Sequence, residues 1–119
     1  VDTVYQFDLG REVVQRFPQV TFVIAHWGAP NDPNLMVQWA RFARVTPNCY
    51  LDCSYCHAYY YMPACFEIAT PDKVLFGSDA PLCHPLVELM KVKVCHLSPE
   101  DEAKVLGQNA ARLFKIDLD

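Results

Sequence analysis

Two residues of this sequence have types and positions suited to chemistry: His26, which closes the apolar run Val20 to Ala25, and Asp79, which follows Lys73 to Ser78. Imidazole nitrogen and carboxylate oxygen are ligands that Zn²⁺ takes in open catalytic sites. A carboxylate beside an activated water also serves as its general base. Spacing alone leaves a plainer reading open, because a strand-end histidine can be a satisfied polar residue and a strand-end aspartate can cap the next helix. The stretch Cys53-Ser54-Tyr55-Cys56-His57 carries a competing signal. It matches Cys-x-x-Cys-His, the pattern of covalent haem attachment, and with Cys83-His84 it offers part of a zinc set. Cys53 falls in an apolar segment, which favours packing cysteines over either.

These residues need elements to position them, and the chain alternates. Asp8 to Phe17 reads as a helix, with Leu9, Val13, Val14 and Phe17 on one face. Val20 to Ala25 is a continuous β-rich run, as expected of a strand buried on both faces of a parallel sheet. A helix over Leu35 to Val45, a strand over Cys49 to Tyr55, a helix over Tyr59 to Ala69 and a strand over Lys73 to Ser78 follow. Pro85 to Lys93 reads as a short helix. The last helix has the clearest start, with Ser98 as N-cap, Pro99 in the first turn and Asp101 at the capping-box position.

The order α-β-α-β-α-β-α-α means βαβ units and a parallel sheet. In such sheets the active site lies at the C-terminal ends of the strands. His26 and Asp79 sit at two of those ends, and Asp52, Ser54 and Tyr55 at the third. Trp27, Ser54, His57 and His84 are the further candidates for substrate contact at this mouth. Tyr55 and the run Tyr59-Tyr60-Tyr61 offer aromatic walls.

Composition bounds the rest. The chain has 119 residues, 52% hydrophobic and 20% charged, with a formal charge of −4, so it reads as one globular domain over residues 1–119. Ten scattered basic residues make no stripe for nucleic acid. No apolar run reaches membrane-spanning length, and the first residues show no export signal. The sequence does not begin with Met, so its start can lie upstream. Six cysteines, mostly in apolar segments, are expected to be reduced thiols of a cytoplasmic protein. Three strands cannot close a (β/α)8 barrel, which needs about 250 residues.

Four segments, in order, carry a resemblance. Phe17-Pro18-Gln19-Val20-Thr21-Phe22-Val23-Ile24-Ala25-His26-Trp27-Gly28 resembles the sixth-strand segment of the amidohydrolase-related family of metal-dependent barrels. Pro47 to Ser54 resembles its seventh strand, and Lys73-Val74-Leu75-Phe76-Gly77-Ser78-Asp79-Ala80-Pro81 its eighth. Leu97 to Phe114 is similar to its closing helix. The resemblance implies a partial barrel holding strands six to eight. It implies a divalent metal, with zinc the first choice, and His26 and Asp79 as metal-binding and catalytic residues. It further implies a small-molecule substrate, hydrolysed through an activated water. Decarboxylation is the alternative within the family. The family's first-strand His-x-His pair and its strand-five histidine have no counterpart here, so the chain supplies only part of such a site. A third reading is a non-catalytic module that self-associates, as a homo-oligomer, through its open sheet edges.

Overall fold

A computed structural model describes residues 3–118; Val1 and Asp2, part of the stretch read for an export signal, lie outside the described residues. Helix α1 (Thr3–Arg16) leads into strand β1 (Phe22–Ile24), helix α2 (Pro33–Val45) and strand β2 (Cys49–Asp52). Helix α3 (Met62–Ala69), strand β3 (Val74–Leu75) and helix α4 (Pro85–Lys93) follow. The C-terminal region runs through α5 (Pro99–Ala103), a π-helical stretch (Lys104–Gln108) and α6 (Asn109–Phe114). The predicted α/β order is therefore the observed one.

The strands are parallel and lie in the order β1-β2-β3. Register shows how the sheet is covered. Phe22 pairs with Cys49, Ile24 with Leu51 and Leu51 with Val74, and these side chains pack into the core with Met36, Met62 and Phe66. The other face carries Val23, Tyr50, Asp52 and Leu75. Among the described residues α2 packs on α3, β2 and the turn after β1, so the helices gather on one side. Lys73 ties the N-terminal ends of the strands together. Its Nζ donates to the carbonyls of Thr46, Pro47 and Cys49 at 2.9, 3.2 and 3.2 Å and lies 4.6 Å from the Tyr50 ring centroid.

Several expectations need correction. The strands are shorter than the apolar runs, and β1 is not buried on both faces: Val23 is 37% exposed, and Val20 is exposed beside it. Among the described residues no strand pairs with the outer edge of β1, so nothing covers it as a central strand would be covered. Strand β3 ends early because the Phe76 N–H leaves the ladder and donates to the Val105 carbonyl at 2.9 Å. That carbonyl belongs to the π-helical stretch, which breaks the expected single last helix into three pieces. A π-bulge of this kind frees a backbone carbonyl for a partner outside the helix. The three tyrosines form a 3-10 turn, Tyr59–Tyr61, before α3 begins.

Candidate active site

Each strand is followed by a non-glycine residue in the left-handed region: His26 (φ 59°), Tyr55 (φ 51°) and Asp79 (φ 54°). Such backbone costs free energy and tends to persist at functional sites, where the surroundings hold it in place. After β1 the chain takes two left-handed residues in succession, His26 and Trp27, and then Gly28 at φ 78°. Only glycine fits there, because an added Cβ would lie 2.0 Å from Trp39 Cδ1. The sharp turn drives Trp27 into the core and leaves His26 half-buried at the strand end.

His26 is held by the turn after β2. Its Nδ1 lies 3.2 Å from the Ser54 carbonyl oxygen and 3.0 Å from Ser54 Oγ. A carbonyl oxygen only accepts, so the contact suits the tautomer with its proton on Nδ1, in which Nε2 keeps a free lone pair. Ser54 is itself fixed, because its backbone N–H donates to Asp52 Oδ1 at 2.7 Å. Asp52 in turn fits only because position 77 is glycine: a Cβ there would lie 2.3 Å from Asp52 Oδ2. A line of contacts thus runs from Gly77 after β3, through Asp52 at the end of β2 and Ser54 in the turn after it, to the His26 ring after β1. This is the support that metal-ligating histidines receive through their second nitrogen.

Asp79 is half-buried on the loop after β3, where its backbone carbonyl accepts from the Cys83 N–H at 3.1 Å. His26 and Asp79 follow the two outer strands, β1 and β3, with β2 between them. The other candidates divide. Ser54 is 3% exposed and acts on His26 rather than on the solvent-facing mouth. His57 is exposed, and its ring meets that of Tyr55 at 4.4 Å between centroids, while Tyr55 lies 5.5 Å from the His26 ring. His84 caps α4, its Nδ1 accepting from the Leu86 N–H at 3.2 Å. Trp27 is corrected: it is 0% exposed and packs edge-to-face on Phe66, so it is a core residue and lines no mouth.

The Cys-x-x-Cys-His reading also falls. Cys53 and Cys56 are buried and all six cysteines are free thiols, so neither thiol of the pair is accessible for covalent attachment. Burial pushes the Cys53 and Cys56 thiols up to about 12, which keeps them protonated and unreactive. Among the described residues no group of three or more His, Cys, Asp and Glu side chains is arranged to hold a metal. Nε2 of His26 and the Asp79 carboxylate are suitable donors in kind, but two donors do not complete a metal shell.

Sequence reasoning missed Glu88. It is 2% exposed, with Oε1 accepting from Lys91 Nζ at 2.7 Å and Oε2 without a hydrogen-bond partner. The i, i+3 spacing of Glu88 and Lys91 reads in sequence as an ordinary solvated helix pair, and no local signal distinguishes it. Asp52 was placed at the strand end, and Asp-x-Ser is the signal of the local turn it makes.

Against known proteins, residues 6–116 match the amidohydrolase family. The chain belongs to that family. Solved structures give the same fold. An amidohydrolase from Burkholderia multivorans crystallised with bound zinc superposes with a TM-score of 0.78 at 18% identity, over 95% of this chain and 50% of that one. An amidohydrolase 2 from Bifidobacterium longum subsp. infantis gives 0.69 at 18% identity, over 90% and 45%. A 5-carboxyvanillate decarboxylase from Sphingomonas paucimobilis gives 0.67 at 19% identity, over 88% and 36%. None of the curated proteins matches the sequence. The chain spans half or less of the length of these structures. Its three parallel strands and flanking helices are accordingly part of a (β/α)8 barrel. Among the described residues no helix is long and apolar enough to cross a membrane.

Proposed function

We propose that this amidohydrolase chain contributes strands six to eight of a metal-dependent hydrolase, with His26 and Asp79 as its reacting residues. The observation that carries the reading is the placement of His26 after β1, with its Nδ1 held 3.2 Å from the Ser54 carbonyl oxygen and 3.0 Å from the Ser54 hydroxyl. A divalent metal, zinc being favoured by the zinc-bound relative, would supply Lewis acidity and lower the pKa of a nearby water. Asp79 accepts the proton of the attacking water and returns it to the leaving group. His26 orients the carbonyl-type substrate or helps retain the metal. The remaining donors would come from the βα units that close the barrel. Those units would also cover the exposed Val23 on β1, Val20 before it, Leu9 and Val13 on α1 and Phe17 just after that helix.

The test is metal dependence of the closed barrel. Chelation should abolish turnover and added Zn²⁺ should restore it, and full activity after verified metal removal would contradict the reading. A second reading has one specific support, the likeness to a decarboxylase. Release of CO2 from an aromatic carboxylate, without water uptake into the organic product, would establish it over hydrolysis.

A further inference from the structure

Val74, Leu75 and Phe76 carry β3 to the site, and the two edges of this short strand are held differently. Backbone groups of successive strand residues point to opposite edges. The Leu75 carbonyl faces β2, where it accepts from the Cys53 N–H at 3.1 Å. Val74 and Phe76 therefore turn their polar groups to the outer edge, where no strand pairs with them among the described residues. The C-terminal helical region takes the place of a strand. Asn109, 2% exposed, donates from Nδ2 to the Val74 carbonyl at 2.9 Å and to the Pro71 carbonyl at 2.7 Å. The Val105 carbonyl accepts from the Phe76 N–H at 2.9 Å.

The bond to Phe76 exists only because the helix is irregular. In a regular α-helix the Val105 carbonyl would accept from the N–H four residues on, that of Asn109. In the π-helical stretch the Asn109 N–H bonds to the Lys104 carbonyl instead, and the Val105 carbonyl is released. Side chains alone can cover a strand edge, as Asn109 does at Val74, so coverage does not require this break. The break falls where the freed carbonyl meets the residue before Gly77. Gly77 lies so close to Asp52 that a Cβ on it would stand 2.3 Å from Oδ2, and Asp52 Oδ1 takes the Ser54 N–H at 2.7 Å. Ser54 in turn holds the His26 ring. Single π-turns of this kind recur at functional sites.

We propose that Asn109 and the π-turn form a positioning clasp for the site. They fix the exit of β3 and with it the place of Gly77 against Asp52. Through Asp52 and Ser54 they set the orientation of the His26 ring. Asn109 is thus a positioning residue that acts through the strand. Its bearing on turnover rests on the role proposed above for His26.

NMR of the full chain tests it without turnover, so failure of the hydrolase reading would leave the result standing. Deleting Gly107, where even an added Cβ would meet nothing within 4 Å, should restore the regular helix and return the Val105 carbonyl to Asn109. Exchange of the Phe76 amide should then quicken by about tenfold or more, and the Ser54 amide and His26 ring signals should shift. Asn109→Ala removes the side-chain half of the clasp and should shift the same signals, which keeps the test decisive if the deletion does not fold. Ala111→Gly, in α6 and 8% exposed, lowers stability without touching the clasp and should leave the Ser54 and His26 signals in place. Unmoved His26 and Ser54 signals in a folded clasp variant would overturn the proposal, as would unchanged Phe76 exchange after the deletion or equal shifts in Ala111→Gly. Failure of both clasp variants to fold would mark the clasp as a condition of folding and would overturn it equally.

Discussion

Ser54 reaches His26 twice, with its carbonyl oxygen at 3.2 Å and its hydroxyl at 3.0 Å from the same Nδ1. A residue in the turn after the central strand thereby holds the ring of a residue that follows the edge strand. Removing the hydroxyl leaves the carbonyl in place but loosens the ring. Ser54→Ala should therefore lower metal affinity or turnover of the closed barrel by about 10- to 100-fold, the usual effect of losing an outer partner of a ligating histidine. Thermal melting should change little, and metal titration together with kinetics measures the difference.

Glycine matters at position 77 and not at position 107. A Cβ on Gly77 would lie 2.3 Å from Asp52 Oδ2, whereas one on Gly107 meets nothing within 4 Å. Gly77→Ala should displace Asp52, release Ser54 and reduce activity along with stability. Gly107→Ala should be neutral, or stabilise by up to about 1 kcal/mol through helix propensity. Denaturant melts of the two variants, with the activity of each, make the comparison.

Buried thiols set an alkaline limit. Burial raises Cys49, Cys65 and Cys95 to about 11 and Cys53 and Cys56 to about 12, from an ordinary value of 9.0. Between those values the unfolded chain loses thiol protons that the folded chain keeps. The stabilisation is fully present below pH 9 and is lost as pH rises through about 11 to 12. Lys73, which burial pushes down, acts in the opposite direction but is one group against five. The melting temperature should be flat from pH 7 to 8.5 and fall steadily above pH 9. Thiol alkylation at pH 8 should be slow at Cys53 and Cys56 until the protein unfolds.

The open side of the sheet should make the chain associate when produced alone. Val23 on β1, Val20 before it, Leu9 and Val13 on α1 and Phe17 just after that helix are all exposed. Unpaired edges and contiguous apolar surface promote pairing. Light scattering should show mass rising with concentration, and Val23→Lys should reduce it. A strictly monomeric native chain would argue against an uncovered interface.

The element order was legible because each apolar run is bounded by prolines or by capping residues. Ser98 Oγ accepts the Asp101 N–H at 3.1 Å, as its position implied, and Asp32 caps α2 in the same way. Asn109 stitches the last helix to β3 through the carbonyls of Pro71 and Val74, at 2.7 and 2.9 Å. What could not be read is what depends on residues far apart in sequence. Trp27 has the look of a pocket wall until the left-handed turn buries it against Phe66. Glu88 resembles a surface charge until α4 is seen to face it inward. The strand lengths depend on which backbone groups find ladder partners, and Phe76 finds Val105 on a helix instead.

The central claim is that Asp79 moves the proton at this strand-end site. In the barrel closed by its remaining βα units, Asp79→Asn keeps the side chain's size and removes its basicity. Turnover should fall by about 10²- to 10⁴-fold, the range for loss of a general acid–base group, with the melting temperature unchanged. Turnover within twofold of the native barrel would contradict the assignment.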